Sequence, residues 1–235
     1  MGIESSSPYL PKSRIGDYLT FVKRGFAYRV WGECLEKYGE FNVKSQFKFL
    51  DVGSGPGYFL RYIEKWFPKA DLCGLDSDKS LIDFSSRHLT RTTLVHHDGH
   101  SLPFPDSSFN VVSSLQVIEH LETPMSFLRE VNRVLGPKGI LLISTPNPEG
   151  ICSKVLAKKW QGIRYDHISL KSPAEWRNIF KKAGFNVIQD GTTGLTGFKI
   201  LQVFPFSLLN HIPMAVWGFF PWDKGESYMA IIQKN

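Results

Sequence analysis

The chain of 235 residues is 42% hydrophobic, which is enough for one domain with a full core and a small appended cap. Its three cysteines are scattered, which argues against a disulfide framework or a zinc site. Its N-terminus lacks the basic and apolar segments of a signal peptide, and together these features predict a cytoplasmic protein. The formal charge of +6 is uneven, with nine basic and three acidic residues in 151–199, which fits either an anionic partner or a solvated face.

The N-terminal part of the chain is predicted to be helical. Between Tyr18 and Tyr38 apolar residues recur at helical spacing, which indicates one or two helices before the first strand. We therefore divide the chain into an N-terminal helical cap, residues 1–45, and a main domain, residues 46–235. The aromatic residues of the cap fit either a cover over a ligand or ordinary core packing.

A strand, a glycine turn and a helix follow the cap. Residues 47–52 form an apolar run that carries Asp51, and residues 58–67 have helical periodicity. Between them lie three glycines at alternate positions, Gly53, Gly55 and Gly57. This order is typical of nucleotide-binding α/β domains, where a Cβ in the turn would hold the ligand away from the backbone. The spacing departs from the dinucleotide pattern G-x-G-x-x-G, because Tyr58 occupies the last glycine position, and no P-loop lysine follows.

The stretch 51–57, Asp-Val-Gly-Ser-Gly-Pro-Gly, resembles the first motif of class I S-adenosylmethionine-dependent methyltransferases. In that family the turn passes beneath the methionine part of the cofactor, and N-terminal helices often cover the cofactor and help to form the substrate pocket. The resemblance implies that S-adenosylmethionine is the cofactor and S-adenosylhomocysteine the product. It assigns five residues of this motif to the cofactor site, namely Asp51, Gly53, Ser54, Gly55 and Gly57.

The next two predicted strands each lead into an acidic residue. Asp76 ends the second strand, nineteen residues past Gly57, where a carboxylate accepts hydrogen bonds from ribose hydroxyls in both NAD and S-adenosylmethionine folds. By resemblance, Asp76 and Ser77 bind the cofactor. Asp98 and Gly99 follow the third strand, and the resemblance implies that Asp98 accepts from the adenine amino group while the Gly99 N–H meets a ring nitrogen. The alternative is an ordinary Asp-Gly turn.

The fourth predicted strand, residues 110–115, is followed by Gln116-Val-Ile-Glu-His-Leu. This segment resembles the fourth motif of small-molecule methyltransferases, which implies that the backbone around Gln116 borders the methionine and the transferring methyl. Glu119 and His120 suggest acid/base chemistry, but they fall at a loop-to-helix junction. We favour a packing role for both.

The rest of the chain completes an alternating pattern. Thr123 and Pro124 are predicted to begin a helix that Gly136-Pro137 ends, and Ser172 with Glu175 forms a capping box for a later helix. The fifth, sixth and seventh strands are predicted at residues 139–144, 185–189 and 228–233. The expected fold is α/β and Rossmann-like, with a seven-stranded, mostly parallel sheet whose last strand is antiparallel, plus N-terminal helices and an apolar insertion before the last strand.

Two insertions, residues 151–171 and 195–225, are assigned to the substrate or cap region. The second contains residues 200–222, which carry no formal charge and suit a pocket wall for an apolar substrate, an oligomer contact or an interfacial membrane element. The first contains His167, our candidate general base, and two candidate substrate contacts, Arg164 and Tyr165. A hydrogen bond from His167 to the backbone is an equally good explanation. No metal is expected, because nothing pairs His96, His97 and His100 at ligand spacing with a carboxylate or thiol.

Methyl transfer from a sulfonium is an in-line displacement in which the enzyme mainly aligns the reacting groups, and a base is needed only when the acceptor must lose a proton. The Asn/Asp-Pro-Pro-aromatic motif of amino-directed nucleic-acid methyltransferases is absent, since residues 115–118 read Leu-Gln-Val-Ile, and no Cys follows a Pro as in cytosine-C5 enzymes. These absences argue against a nucleic-acid acceptor, although the basic residues of 151–199 leave an RNA acceptor open without an evident stacking platform.

The predicted function is O-methylation of a carboxylate or hydroxyl on a small molecule, lipid or peptide, with an acceptor that is anionic or apolar. The apolar insertion allows peripheral membrane contact, and the oligomeric state stays open. Two alternatives remain from the sequence: an NAD(P)-dependent oxidoreductase, and a domain that binds the cofactor but is inactive and serves as a regulator or partner.

Overall fold

Helices and strands alternate along the computed structural model, which describes residues 7–11, 13–198, 200, 209, 219–220 and 222–235. The helices are α1 Arg14–Gly39, α2 Tyr58–Trp66, α3 Lys79–Ser85, α4 Pro124–Val134, α5 Ile151–Leu156 and α6 Pro173–Lys182. The strands are β1 Lys48–Val52, β2 Asp71–Asp76, β3 Thr92–His96, β4 Phe109–Leu115, β5 Leu135–Pro146, β6 Phe185–Thr192 and β7 Ser227–Lys234. Among the described residues, one 3-10 turn, Ile118–His120, follows β4, and another, Ala157–Lys159, follows α5.

The strands form one seven-stranded sheet in the order β3-β2-β1-β4-β5-β7-β6. Strands β1 to β5 pair in parallel, whereas β7 pairs antiparallel with both β5 and β6. This confirms the predicted fold class. The order along the sheet reverses between β1 and β4, and in open α/β sheets the crevice outside the carboxyl ends of the strands at such a point is where ligands bind.

The residues of the central strands alternate between two cores, one on each face of the sheet. In β1, Phe49 belongs to the core that includes Phe59 of α2, and Leu50 belongs to the core that includes Phe127 of α4. All of these side chains are buried, as expected for a parallel strand covered on both faces. The sheet therefore fixes the carboxyl ends of β1, β2 and β4 rigidly beside one another.

The predicted N-terminal helices are one helix, α1. Its buried residues Tyr28, Trp31 and Leu35 lie in the same core as Phe49, so this helix covers one face of the sheet. The helix begins after Ser13, whose side chain accepts from the Gly16 N–H, and ends at Glu40 in a left-handed conformation. The division into a cap, residues 1–45, and a domain, residues 46–235, stays a prediction.

The uncharged segment 200–222 lies mostly outside the described residues, so the structure does not choose among its three predicted uses. Its described end is attached to the fold: the Phe219 ring lies 5.0 Å from the Trp31 ring, and Phe220 exchanges two 3.0 Å backbone hydrogen bonds with Thr192. Within the part of the chain that the structure describes, no helix has the length and apolar character needed to cross a membrane.

Candidate functional site

The glycine turn lies between β1 and α2 and bends back against neighbouring segments. The Gly53 and Ser54 N–H groups both donate to the Leu75 carbonyl, at 2.8 and 3.0 Å, which ties the turn to the end of β2. All three glycines have left-handed φ angles of 74°, 54° and 75°. A Cβ on Gly53 would come inside 3.0 Å of a Val117 methyl, so the turn contacts the segment after β4 directly. Both cofactor motifs predicted from the sequence therefore meet here.

Helix α1 reaches the same turn. The Arg24 guanidinium lies 5.6 Å from the centroid of the Tyr58 ring, and Tyr58 is the first residue of α2. The Tyr58 side chain is buried. The centroid of the Tyr28 ring lies 5.1 Å from that of Phe59, the next residue of α2. The N-terminal helix thus covers the helix that starts at the glycine turn.

The Asp76 carboxylate, at the end of β2, is hydrogen-bonded to the glycine turn. It is buried and accepts from the Gly55 N–H at 2.7 Å through one oxygen and from the Asp78 N–H at 2.9 Å through the other. Burial raises the pKa of this carboxyl, and the backbone donors on Asp78 and Gly55 oppose that effect. Because a carboxylate has about four acceptor positions, roughly two stay available to a ligand. Next to it, the Ser77 carbonyl accepts from the His96 ring at 3.1 Å.

Asp51 and Ser54 lie deeper in the fold. The Asp51 carboxyl is 3% exposed and accepts from the Ser113 hydroxyl at 2.6 Å, so it links β1 to β4. Burial raises the pKa of the Asp51 carboxyl to about 7, against the opposing effect of the Ser113 hydrogen bond. The Ser54 hydroxyl is buried and has no hydrogen-bond partner among the described residues. Such an orphaned hydroxyl at the turn is available to a ligand.

The residues after β3 are bonded to one another. The exposed Asp98 carboxylate accepts from the His100 N–H at 3.0 Å, which is an Asx turn. The Gly99 N–H donates to His97 Nδ1 at 3.1 Å. His97 Nδ1 carries no proton when it accepts this bond. The Gly99 N–H, which the resemblance expects to donate to an adenine ring nitrogen, therefore already donates to an imidazole ring nitrogen.

Gln116 has an unusual backbone conformation at the carboxyl end of β4. Its φ of 61° is left-handed, a conformation that costs roughly 1–2 kcal/mol for a residue with a side chain. Its N–H donates to the Ser144 carbonyl at 2.9 Å and its side-chain amide to the Ser144 hydroxyl at 3.2 Å, so β5 holds it in place. Strained residues held by surrounding structure cluster at ligand sites.

Three ionisable side chains meet just beyond Gln116. Glu119, His120 and His167 each offer one ligand atom, and these atoms all lie within 4.8 Å of one another. The two imidazole rings are 4.8 Å apart and nearly perpendicular, at 84°. We call these three residues the His-Glu cluster. The sequence predicts a packing role for Glu119 and His120 and a catalytic role for His167, and it carries no signal that the three are neighbours.

Each member of the His-Glu cluster is held by its surroundings. His120 Nδ1 donates to the Asp166 carbonyl at 2.9 Å, and His167 Nδ1 donates to the Gly162 carbonyl at 2.8 Å. Burial lowers the pKa of the His167 ring. Burial raises the pKa of the Glu119 carboxyl to about 7. The Thr145 hydroxyl lies near enough to oppose that rise, but it is outside hydrogen-bonding geometry.

The two predicted substrate contacts differ in exposure. The Arg164 guanidinium pairs with the Asp166 carboxylate at 2.9 Å and donates to the Tyr9 hydroxyl at 3.0 Å. Tyr165 is 96% exposed. The structure therefore does not bring Tyr165 into the His-Glu cluster, and Arg164 supports the cluster only through Asp166, which His120 also contacts.

A buried carboxylate that is not among the predicted site residues anchors the first insertion. Glu226 is 5% exposed and accepts from Trp160 Nε1 at 2.7 Å and from the Gln161 side chain at 3.0 Å. These bonds attach the insertion to the start of β7 and so position the loop that carries His167. No sequence motif marks this contact, because the partners lie 66 residues apart.

A family profile described as a methyltransferase domain matches residues 23–190. A probable S-adenosylmethionine-dependent methyltransferase of Mycolicibacterium smegmatis is 38% identical over 98 residues, covering 42% of this chain and 37% of that protein. A malonyl-(acyl-carrier protein) O-methyltransferase of Legionella pneumophila is 29% identical over 126 residues, covering 52% of this chain and 44% of that protein. The matches thus span less than half the length of these curated relatives.

A solved structure of an S-adenosylmethionine-dependent methyltransferase from Thermotoga maritima aligns with a TM-score of 0.65 at 17% identity, covering 94% of this chain and 96% of that chain. At this identity the likeness shows the fold. The glycine turn and Asp76 left the nucleotide open between NAD(P) and S-adenosylmethionine, and the profile decides for the latter. The chain belongs to the class I S-adenosylmethionine-dependent methyltransferase family, with S-adenosylmethionine as its cofactor.

Proposed function

We propose that this methyltransferase transfers the methyl group to an oxygen atom, a carboxylate or hydroxyl, on a small molecule, lipid or peptide. The observation that carries the proposal is the His-Glu cluster, which lies directly after Gln116. The Gln116 N–H donates a hydrogen bond to the Ser144 carbonyl, and Glu119 lies near the next residue, Thr145. Gln116 and Glu119 therefore lie at the same edge of the sheet, where β4 and β5 end. A cluster of proton-accepting groups beside the transferring methyl suits an acceptor that must lose a proton.

The cofactor would be held at the carboxyl ends of β1, β2 and β3. We assign the methionine part to the backbone of the turn, with the orphaned Ser54 hydroxyl as a further contact. The free acceptor positions of Asp76 fit the ribose hydroxyls, with Ser77 beside it. Asp98 and Gly99 would take the adenine after His97 releases the Gly99 N–H. Asp51 acts through Ser113 by fixing the strand ends rather than through direct contact.

S-adenosylmethionine, when bound, supplies a methyl group already activated by its sulfonium. The chain must then align an acceptor oxygen with that methyl and remove a proton where the acceptor carries one. In His167 the Nδ1–H donates to the Gly162 carbonyl, which leaves a lone pair on Nε2, and burial lowers the pKa of the ring so that it is neutral near pH 7. We assign His167 as the residue that activates the acceptor.

The choice of an anionic acceptor rests on charge. The first insertion carries exposed Lys154, Lys158 and Lys159, and residues 151–199 hold nine basic against three acidic residues. A basic surface raises the local concentration of an anionic acceptor. The Legionella relative is named as an O-methyltransferase of malonyl-(acyl-carrier protein), which is in keeping with transfer to an oxygen atom. The alternative of an inactive, cofactor-binding partner domain has no specific observation in its favour.

The test is a methyl-transfer assay with radiolabelled cofactor and a panel of carboxylic acids, phenols, alcohols and amines. The proposal predicts transfer to oxygen acceptors, and a loss of roughly 10²–10⁴-fold in kcat for His167→Gln with a hydroxyl acceptor. The matched control is His100→Gln, an exposed histidine outside the cluster, which should leave the rate unchanged. Transfer to amines alone, or no transfer to any acceptor by a protein that binds the cofactor, would contradict the proposal.

A further inference from the structure

The His-Glu cluster has the composition of a metal site. It presents one carboxylate and two imidazoles whose ligand atoms lie within 4.8 Å of one another. Two donors that each lie about 2.1 Å from one ion are at most about 4.2 Å apart, so small side-chain rotations would close the site. The three residues come from the 3-10 turn after β4 and from the first insertion, and both segments are fixed by hydrogen bonds to the rest of the fold.

The two imidazoles are prepared as metal ligands. A backbone carbonyl only accepts, so the Nδ1 atoms of His120 and His167 must both carry their protons to donate to Asp166 and Gly162. This leaves a lone pair on Nε2 of each ring. A second hydrogen bond that fixes the tautomer in this way is the usual support for metal-bound histidine, and the Asp166 carboxylate adds a charge 3.5 Å from His120 Nδ1.

The buried Glu119 carboxylate has no hydrogen-bond partner among the described residues. Glu119 is 1% exposed, and neither of its side-chain oxygens has a hydrogen-bond partner among the residues that the structure describes. The neighbouring Thr145 hydroxyl is buried and unpartnered as well. Buried carboxylates are normally paired, hydrogen-bonded or bound to a metal, so these orphaned oxygens call for a cation beside them.

We propose that Glu119, His120 and His167 bind a divalent transition-metal ion, with Zn²⁺ as the representative, and that its remaining positions accept the oxygen of the methyl acceptor. Two imidazoles with one carboxylate suit zinc and other first-row transition ions, whereas Mg²⁺ and Ca²⁺ prefer oxygen ligands throughout. Three protein ligands leave at least one position open, as in catalytic zinc sites. This inference replaces the sequence expectation that no metal is bound.

The inference rests on the proposed function and states how the acceptor is activated. A hydroxyl that coordinates the ion has a lowered pKa and loses its proton to water. The resulting oxygen then forms its bond to the methyl carbon while the carbon–sulfur bond breaks, and sulfur keeps that electron pair. His167 activates the acceptor through the ion that its Nε2 lone pair holds, so the loss of rate expected for His167→Gln follows from loss of the ion.

The experiment is a titration of the chelator-treated full chain with Zn²⁺ alone by calorimetry, and with Co²⁺ by visible absorption. We expect one equivalent to bind, with Co²⁺ bands typical of nitrogen and oxygen ligands. Glu119→Gln and His167→Gln should each weaken binding by at least about 100-fold, whereas His100→Gln should bind as the unmodified chain does. Thermal unfolding and cofactor affinity of each variant show that it is folded.

Two results would overturn the inference: no stoichiometric ion bound by the full chain, or equal affinity in the Glu119→Gln and His167→Gln variants. Because the titration needs no acceptor, metal binding without any methylated oxygen acceptor would support the site and contradict the proposed function. Methyl transfer at an unchanged rate in the chelated enzyme would overturn the second part of the inference, that the ion binds the acceptor oxygen, and would leave O-methylation standing.

Discussion

Substituting Gly53 by alanine tests the close approach of the glycine turn to the segment after β4. The φ of Gly53 is 74°, and a side chain in that left-handed region costs roughly 1–2 kcal/mol. The new Cβ would also come inside 3.0 Å of Val117 Cγ2, and overpacking of this kind costs about 1–3 kcal/mol. We therefore expect Gly53→Ala to lower the free energy of unfolding by about 2–5 kcal/mol, measured by urea titration with tryptophan fluorescence.

Three companion variants separate the two contributions to that loss. Gly55 has a φ of 54° but no described atom within 4 Å of its Cβ position, so Gly55→Ala should cost only the conformational part, about 1–2 kcal/mol. Gly25 lies inside α1 with equally open space, and Gly25→Ala should stabilise the protein by about 0.5–1 kcal/mol. In a Val117→Ala background the cost of Gly53→Ala should fall to that of Gly55→Ala. Equal costs for Gly53→Ala and Gly55→Ala in both backgrounds would refute the contact.

Three further outcomes are expected. In the metal-free protein, burial raises the folded-state pKa of Glu119 from 4.5 to about 7. The contribution of Glu119 to stability is therefore full below pH 4.5 and is lost as the pH rises through 7. Glu119→Gln should remove this pH dependence of the free energy of unfolding, a difference of up to about 3 kcal/mol at pH 8 in chemical unfolding. Trp160→Phe removes a 2.7 Å hydrogen bond to the buried Glu226 carboxylate and should cost about 2 kcal/mol of stability; an unchanged melting temperature would contradict that role. Tyr165→Ala, at a site that is 96% exposed and outside the His-Glu cluster, should change stability by less than about 0.5 kcal/mol and leave the KM for the acceptor unchanged, and a raised KM would return Tyr165 to the substrate site.

The fold was predictable because its signals are local. Alternating apolar strands and helices, with glycines after the first strand, specify a parallel sheet with its ligand crevice at a known edge. The capping box of α6 is of the same kind: the Ser172 N–H donates to Glu175 at 2.8 Å, and the Glu175 N–H donates back to the Ser172 hydroxyl at 3.3 Å. Each such signal involves residues only a few positions apart in sequence.

The sequence predicts the ends of α4 incompletely, because contacts with the sheet determine where this helix begins and ends. Gly136-Pro137 predicts the end of α4 too late, because β5 already starts at Leu135, which pairs with Phe109 of β4 ahead of a bulge. Thr123 precedes α4 without the predicted side-chain cap, although Pro124 does occupy the first helical position. In both cases the local signal is present, and contacts with the sheet determine the geometry.

The His-Glu cluster could not be predicted for a related reason. Glu119 and His167 lie 48 residues apart in the chain, on a turn and on an insertion without periodicity. Their meeting depends on long-range hydrogen bonds, among them the 2.9 Å bond from the Ser169 N–H to the Glu119 carbonyl and the Trp160–Glu226 contact. Spacing rules for metal ligands apply within one element, so they miss a site assembled from two.

The central claim, that the glycine turn and Asp76 bind S-adenosylmethionine, is tested most directly by calorimetric titration with S-adenosylmethionine, S-adenosylhomocysteine and NADH. We predict binding of both sulfur nucleotides and none of NADH. Asp76→Ala should abolish that binding, whereas Asp83→Ala, on the exposed face of α3, should leave it unchanged. Failure of both sulfur nucleotides to bind, tighter binding of NADH, or full affinity in the Asp76→Ala variant would contradict the account.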